Sequence, residues 1–255
     1  FLITSIPLGF SDQCLNILLS IGIFENIRNN RLEIQKKVSL FDASISLGIL
    51  FSTLYKIFWT YSYKDNFIFF IQTFLLISLL IINFSLKNVF LNWRVILISA
   101  IYPIQRFIYI PLSIILTPLS TVLTWFLLNI FGFNAYTKGQ EIFIGNGGVL
   151  VSFSCSGSDQ IIFAITSMLV LNLVLPFKRV RYFYLQLIIT FLITFMINIF
   201  RLCILAIFVD TYNSDNFSVF DFFHGSKGGL IFSLISTALS CEVYKKLYVL
   251  NKLNY

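Results

Sequence analysis

The stretch Phe183–Val209, FYLQLIITFLITFMINIFRLCILAIFV, carries one formal charge, at Arg201. About 20 apolar residues suffice for an α-helix to cross a bilayer core, so this stretch reads as a membrane-crossing helix. Comparable runs occupy 38–60, 67–86, 95–116, 159–176 and 229–248, and a less regular one, broken by Asp12 and Gln13, occupies 1–24. Seven crossings are therefore expected. The chain is 58% hydrophobic and 11% charged, with 30 Phe and a mean hydropathy of +0.87. A water-facing domain ordinarily carries about 25% charged residues. The apolar runs are continuous, not alternating, which argues against a β-barrel. The expected fold class is an all-α polytopic membrane protein. With no internal repeat and no linker, residues 1–255 read as a single membrane domain. The chain opens at Phe1 with no basic segment ahead of an apolar run, so no cleavable signal peptide is expected, and the native N-terminus is expected upstream.

The loops orient the helices. Segments 25–37, 87–94, 177–182 and the C-terminal tail hold twelve Lys and Arg, whereas the alternate loops hold three: Lys64, Lys138 and Lys227. The positive-inside rule places the first set in the cytoplasm. This parity requires that 117–131, bounded by Pro118 and Gly132, does not cross, so it is expected to be an interfacial or re-entrant helix. The loops containing Cys155 and His224 then share the outer face. Topology accounts for the net charge of +7, so membrane lipids are expected as partners and nucleic acid is not.

Between these helices, 141–154 reads as a small outer-face β-hairpin. Ile142 and Ile144 alternate, Asn146-Gly147-Gly148 supplies a turn, and Val149, Val151 and Phe153 alternate again. The period of two puts Cys155 on the face of Val149, Val151 and Phe153. Ser156 to Asp159 resembles a capping box with Asp in place of Glu or Gln, which sets the thiol just before a helix N-terminus.

Three residues are polar where polarity is costly. The thiolate is the nucleophilic form of cysteine, and a helix N-terminus or a nearby cation favours an anion. Gly157 permits close approach of a substrate backbone. Arg201, at membrane depth, costs several kcal/mol unless it faces a polar cavity (roughly 2.5–3.5 on insertion scales). Asn198 shares its helix face, and the amide oxygen is placed to accept from the guanidinium. His224, the only histidine, is a proton carrier near neutral pH, with Asp221 as a possible orienting partner. Gly225, Gly228 and Gly229 point to a loop folded tightly against something. Each residue has a plain structural alternative: a small residue in a tight turn, an arginine snorkelling to the interface, an interfacial histidine. Arg106 either lines the same cavity or pairs with Asp42. Cys14, Cys203 and Cys241 sit in apolar context and read as buried small hydrophobes. With no CxxC pair and one histidine, no metal site is expected, and no cofactor is called for.

Three blocks in this order resemble the exosortase/archaeosortase family of membrane cysteine transpeptidases. They are Gly148–Gly157 (GVLVSFSCSG), Asn198-Ile199-Phe200-Arg201, and His224-Gly225 ahead of an apolar helix. The phrase FFHGSKGGLIFS, Phe222–Ser233, is nearest the cyanobacterial branch, which tends to carry Trp-His and Gly-Ser where Phe223 and Gly229 stand. The resemblance covers 95–248, and 1–94 matches in hydropathy only. It implies a catalytic Cys155–Arg201–His224 set, to which the reading of the neighbouring residues adds Asn198, Ser156, Gly157 and Asp221 in support. It also implies exported substrates ending in a Pro-Glu-Pro-like motif, an apolar helix and a basic tail, passed to a surface acceptor. The implied setting is a bacterial inner membrane with the site at its outer face. The alternative is a non-enzymatic transporter or scaffold in polysaccharide export, with Arg201, Arg106 and Asp42 along a pathway. An intramembrane protease releasing its product to water is a third reading.

Overall fold

A computed structural model describes residues 20–24, 39–59, 70–87, 93–145, 147–210 and 220–253. Helices α1 (Leu40–Trp59), α2 (Ile71–Phe84) and α3 (Trp93–Ile130) precede a three-stranded sheet, β1 (Ala135–Lys138), β2 (Glu141–Ile144) and β3 (Gly147–Leu150). A 3-10 turn at Phe153–Cys155 leads into α4 (Ser158–Val174), then α5 (Val180–Asp210) and α6 (Ser226–Leu253). Among the described residues, two helical segments are long and apolar enough to cross a membrane, Phe107–Ile130 and Val180–Val209, and two shorter apolar ones are Thr73–Phe84 and Ser158–Val174. Apart from 20–24, the expected first span lies outside the described residues, as does Cys14.

The segment 117–131 is not a separate interfacial or re-entrant helix: α3 runs unbroken from Trp93 to Ile130, with Pro103, Pro111 and Pro118 inside it. A proline removes a helix hydrogen bond, the one to the carbonyl four residues earlier. Ser113, Thr117 and Thr121 donate their hydroxyls within the same helix to the carbonyls of Tyr109, Ser113 and Thr117, at 2.7, 2.7 and 2.9 Å, and not to those of Phe107 and Ile114, which Pro111 and Pro118 leave without an N–H partner. A single continuous helix thus joins residue 94 to residue 131.

The chain groups into two compact units. In the unit built mainly from 16–107, α1 and α2 are joined by reciprocal serine bonds: Ser46 Oγ donates to Ser78 O at 2.8 Å and Ser78 Oγ to Ser46 O at 3.0 Å. Asp42 accepts from the Leu86 N–H at 3.1 Å, and the Arg106 side chain lies outside the described residues.

The other unit, mainly 108–255, holds the sheet and α4–α6. The sheet has one more strand than expected. Its order is β1-β2-β3, both pairs antiparallel. Ile144 pairs with Gly147, so Gly147 and Gly148 belong to β3 and not to the turn. Ile142, Ile144, Val149 and Val151 are buried with Leu202, Leu205 and Ala206 of α5 in one apolar cluster. A Cβ on Gly147 would stand 2.6 Å from Val209 Cγ1, so glycine is what lets β3 lie against the end of α5.

Both α5 and α6 carry a row of buried polar residues. On α5, Gln186, Thr190, Thr194, Asn198 and Arg201 recur every third or fourth residue and are all buried, forming one face. On α6, Ser233, Ser236 and Ser240 are buried and spend their hydroxyls on carbonyls within their own helix. In lipid, small and polar residues of this kind draw helices together.

Candidate active site

Cys155 closes the 3-10 turn, its N–H donating to Ser152 O at 2.9 Å, and it is 2% exposed. The strand does not run straight into it: β3 ends at Leu150. Val149, Val151 and Cys155 are buried but Phe153 is 48% exposed, because the tight turn breaks the period of two.

The helix start lies one residue later than a capping box at Ser156 requires. Gly157 is the N-cap, its carbonyl accepting from Ile161 N–H at 2.9 Å. Ser156 Oγ accepts from Ser158 N–H at 3.4 Å, donates to Phe153 O at 2.6 Å, and lies 2.7 Å from Ser158 Oγ. Gly157 has φ +86, and a Cβ there would stand 2.7 Å from the Asn198 amide. It thus admits a neighbouring side chain, Asn198, to close approach.

Two helices grip the peptide groups around the thiol. Asn198 Nδ2 donates to Cys155 O at 3.1 Å, and Ser120 Oγ to Ser156 O at 3.1 Å. Asn198 therefore does not accept from Arg201, as its spacing suggested. Ser120 was not singled out in the sequence, although Ser113, Thr117, Ser120, Thr121 and Thr124 share a helix face.

One turn further along α5, Arg201 is 5% exposed. Its Nε donates to Phe223 O at 3.0 Å and its Nη2 to His224 O at 3.1 Å. An arginine held by two carbonyls inside the protein is not reaching for lipid headgroups. The Cys155 turn and the Phe223–His224 segment are thus both fastened to the Asn198–Arg201 turn of α5.

His224 itself is exposed, its ring stacked on Phe220 at 5.3 Å and 10°. Asp221 does not orient it: among the described residues no hydrogen bond joins the two, and the Asp221 backbone carbonyl accepts from Gly225 N–H at 2.8 Å. The glycines after His224 do allow tight packing, since a Cβ on Gly228 would lie 2.5 Å from Phe222 O. Cys203 is buried, but Cys241 is exposed, against expectation. In a membrane helix apolar neighbours surround lipid-facing and core-facing positions alike, so context could not separate them.

A soft nucleophile, a cation fixed one turn along the helix that holds its carbonyl, and an exposed imidazole on an adjoining segment are a set suited to acyl transfer. No curated protein and no solved structure matches the chain. The family model described as transmembrane exosortase matches residues 9–241. That match spans nearly the whole sequence and all three blocks, and the chain belongs to the transmembrane exosortase family.

Proposed function

We propose that this protein is a membrane-embedded cysteine transpeptidase acting on the C-terminal sorting signals of exported proteins. The observation that carries this reading is the double anchorage on α5: Asn198 holds the Cys155 carbonyl, and Arg201 holds the carbonyls of Phe223 and His224.

In the first half-reaction the Cys155 thiolate attacks a backbone carbonyl of the signal. Arg201 stabilises the oxyanion as it forms. The C–N bond breaks, the leaving amine takes a proton from the His224 imidazolium, and a thioester remains. In the second half an acceptor nucleophile gives its proton to His224 and attacks the thioester, and the thiolate departs. Two moderate barriers replace one high one. Stacking on Phe220 fixes the plane of the His224 ring.

Seven crossings, the twelve-to-three loop bias and an outer-face site in a bacterial inner membrane complete the proposal, and FFHGSKGGLIFS favours the cyanobacterial branch. The acceptor is a surface polysaccharide or lipid. The test is processing of a membrane-anchored reporter ending in Pro-Glu-Pro, an apolar helix and a basic tail. Cys155→Ala should abolish cleavage at unchanged membrane levels. Arg201→Lys, which replaces a planar fork with a point charge, should lose about 100-fold or more in rate. Full cleavage by Cys155→Ala would end the reading.

A further inference from the structure

The order β1-β2-β3 leaves β3 at an edge of the sheet. The register shows which of its backbone groups are spent. Val149 pairs with Ile142 and Gly147 with Ile144, and Val151 N–H donates to Gln140 O at 2.9 Å in the same register. Backbone groups in a strand alternate in direction, so residues 147, 149 and 151 bond toward β2 and residues 148 and 150 bond away from it. The carbonyl of Leu150 accepts from Ser152 N–H at 3.1 Å. That leaves the N–H and C=O of Gly148 and the N–H of Leu150. Both residues are exposed, Leu150 at 55%, and no strand among the described residues pairs on that side.

Proteins ordinarily blunt such edges with lysine, proline or a bulge. Gly147-Gly148-Val149-Leu150 has no charge and no proline. The opposite edge, β1, ends in Lys138. The inner face of the sheet is packed on α5, which holds the edge rigid, and exposed Leu150 and Phe153 add apolar contacts beside it. The chain then passes directly from β3 into the turn that ends at Cys155.

We infer that the β3 edge is the substrate's docking strand: an extended segment of the sorting-signal protein adds beside Gly147–Leu150 as a fourth strand and is carried to Cys155. The occupant is an extended peptide, because only an extended backbone offers donors and acceptors at the spacing of Gly148 and Leu150. Main-chain bonds then supply affinity with little demand on sequence. This inference rests on the transpeptidase reading, whose reporter serves to test it.

Leu150→Pro removes an outward-facing donor and the leucine side chain beside it but no bond to β2, a change edge strands tolerate. It should lower kcat/KM for the reporter about 10-fold. Thr137→Pro, whose N–H points away from the sheet on the β1 edge by the same parity, should leave kcat/KM unchanged. A second measurement does not depend on proline being tolerated. Enzyme carrying Cys155→Ala and Leu150→Cys is mixed with reporters holding single cysteines at successive positions ahead of Pro-Glu-Pro. Disulfides should form at every second position. If wild-type enzyme cleaves the reporter but the disulfides show no alternation, or Leu150→Pro cleaves normally, the docking strand is overturned and the transpeptidase reading stands. Disulfides between two copies of the enzyme instead of with the reporter also overturn it. If wild-type enzyme leaves the reporter intact, both fail together.

Discussion

Asn198 gives an Nδ2 proton to the Cys155 carbonyl and keeps its Oδ1 buried without a partner among the described residues. Its worth lies in donation, so the choice of replacement matters. Asn198→Ala leaves a buried carbonyl unmet, a loss of about 1–3 kcal/mol. Asn198→Asp should be worse, because a carboxylate repels that carbonyl and draws Arg201 away from Phe223 and His224. Melting temperature and reporter cleavage should both rank wild type above alanine and alanine above aspartate. An aspartate variant as active as wild type would remove the anchoring role. Gly157→Ala meets two obstacles at once, a left-handed φ and the Asn198 amide. It should destabilise by about 1–3 kcal/mol from backbone strain alone, read as a lowered midpoint of unfolding. The sequence singles out Cys155, Arg201 and His224 because each is polarity out of place. Ser120 was not, since a serine in an apolar helix is ordinary and its bond to Ser156 O depends on tertiary contact. Asn198 was placed correctly on the face of Arg201, but sharing a face does not decide which partner a side chain takes.

At the scale of elements, continuous apolar runs located the helices well, and the sheet poorly. β1, Ala-Tyr-Thr-Lys, has no apolar alternation and is recognised only through its pairing with β2. The break expected at Pro118 followed the usual rule for proline, yet α3 runs through that position without interruption. Pro118→Ala should therefore be tolerated or stabilising, since an interior proline costs about 3 kcal/mol relative to alanine. Thermal unfolding in detergent checks this. A marked fall in melting temperature would mean that the proline serves a bend the helix requires.

For the whole molecule, the twelve-to-three charge bias makes a sidedness prediction. In sealed vesicles of known orientation, a cysteine introduced beside Lys178 should react with an impermeant reagent from the inner side, and one beside Lys138 from the outer side. The reverse, or the same side for both, would invalidate the topology. The native thiols report packing independently. In folded, detergent-solubilised protein an apolar maleimide should modify Cys241 before Cys155 or Cys203, because the latter two are buried. Faster reaction at Cys203 would contradict the packing of α5.

The buried row Gln186–Thr190–Thr194–Asn198–Arg201 bears on the calorimetry of this protein. Heat-capacity change on unfolding comes from apolar surface newly exposed to water. When α5 leaves its neighbours within a bilayer, part of the surface released is hydroxyls and amides, and the medium that receives it is lipid. The heat-capacity increment should be well below the ~12–15 cal/mol/K per residue of water-soluble domains, giving a nearly straight stability curve and no cold-labile limb.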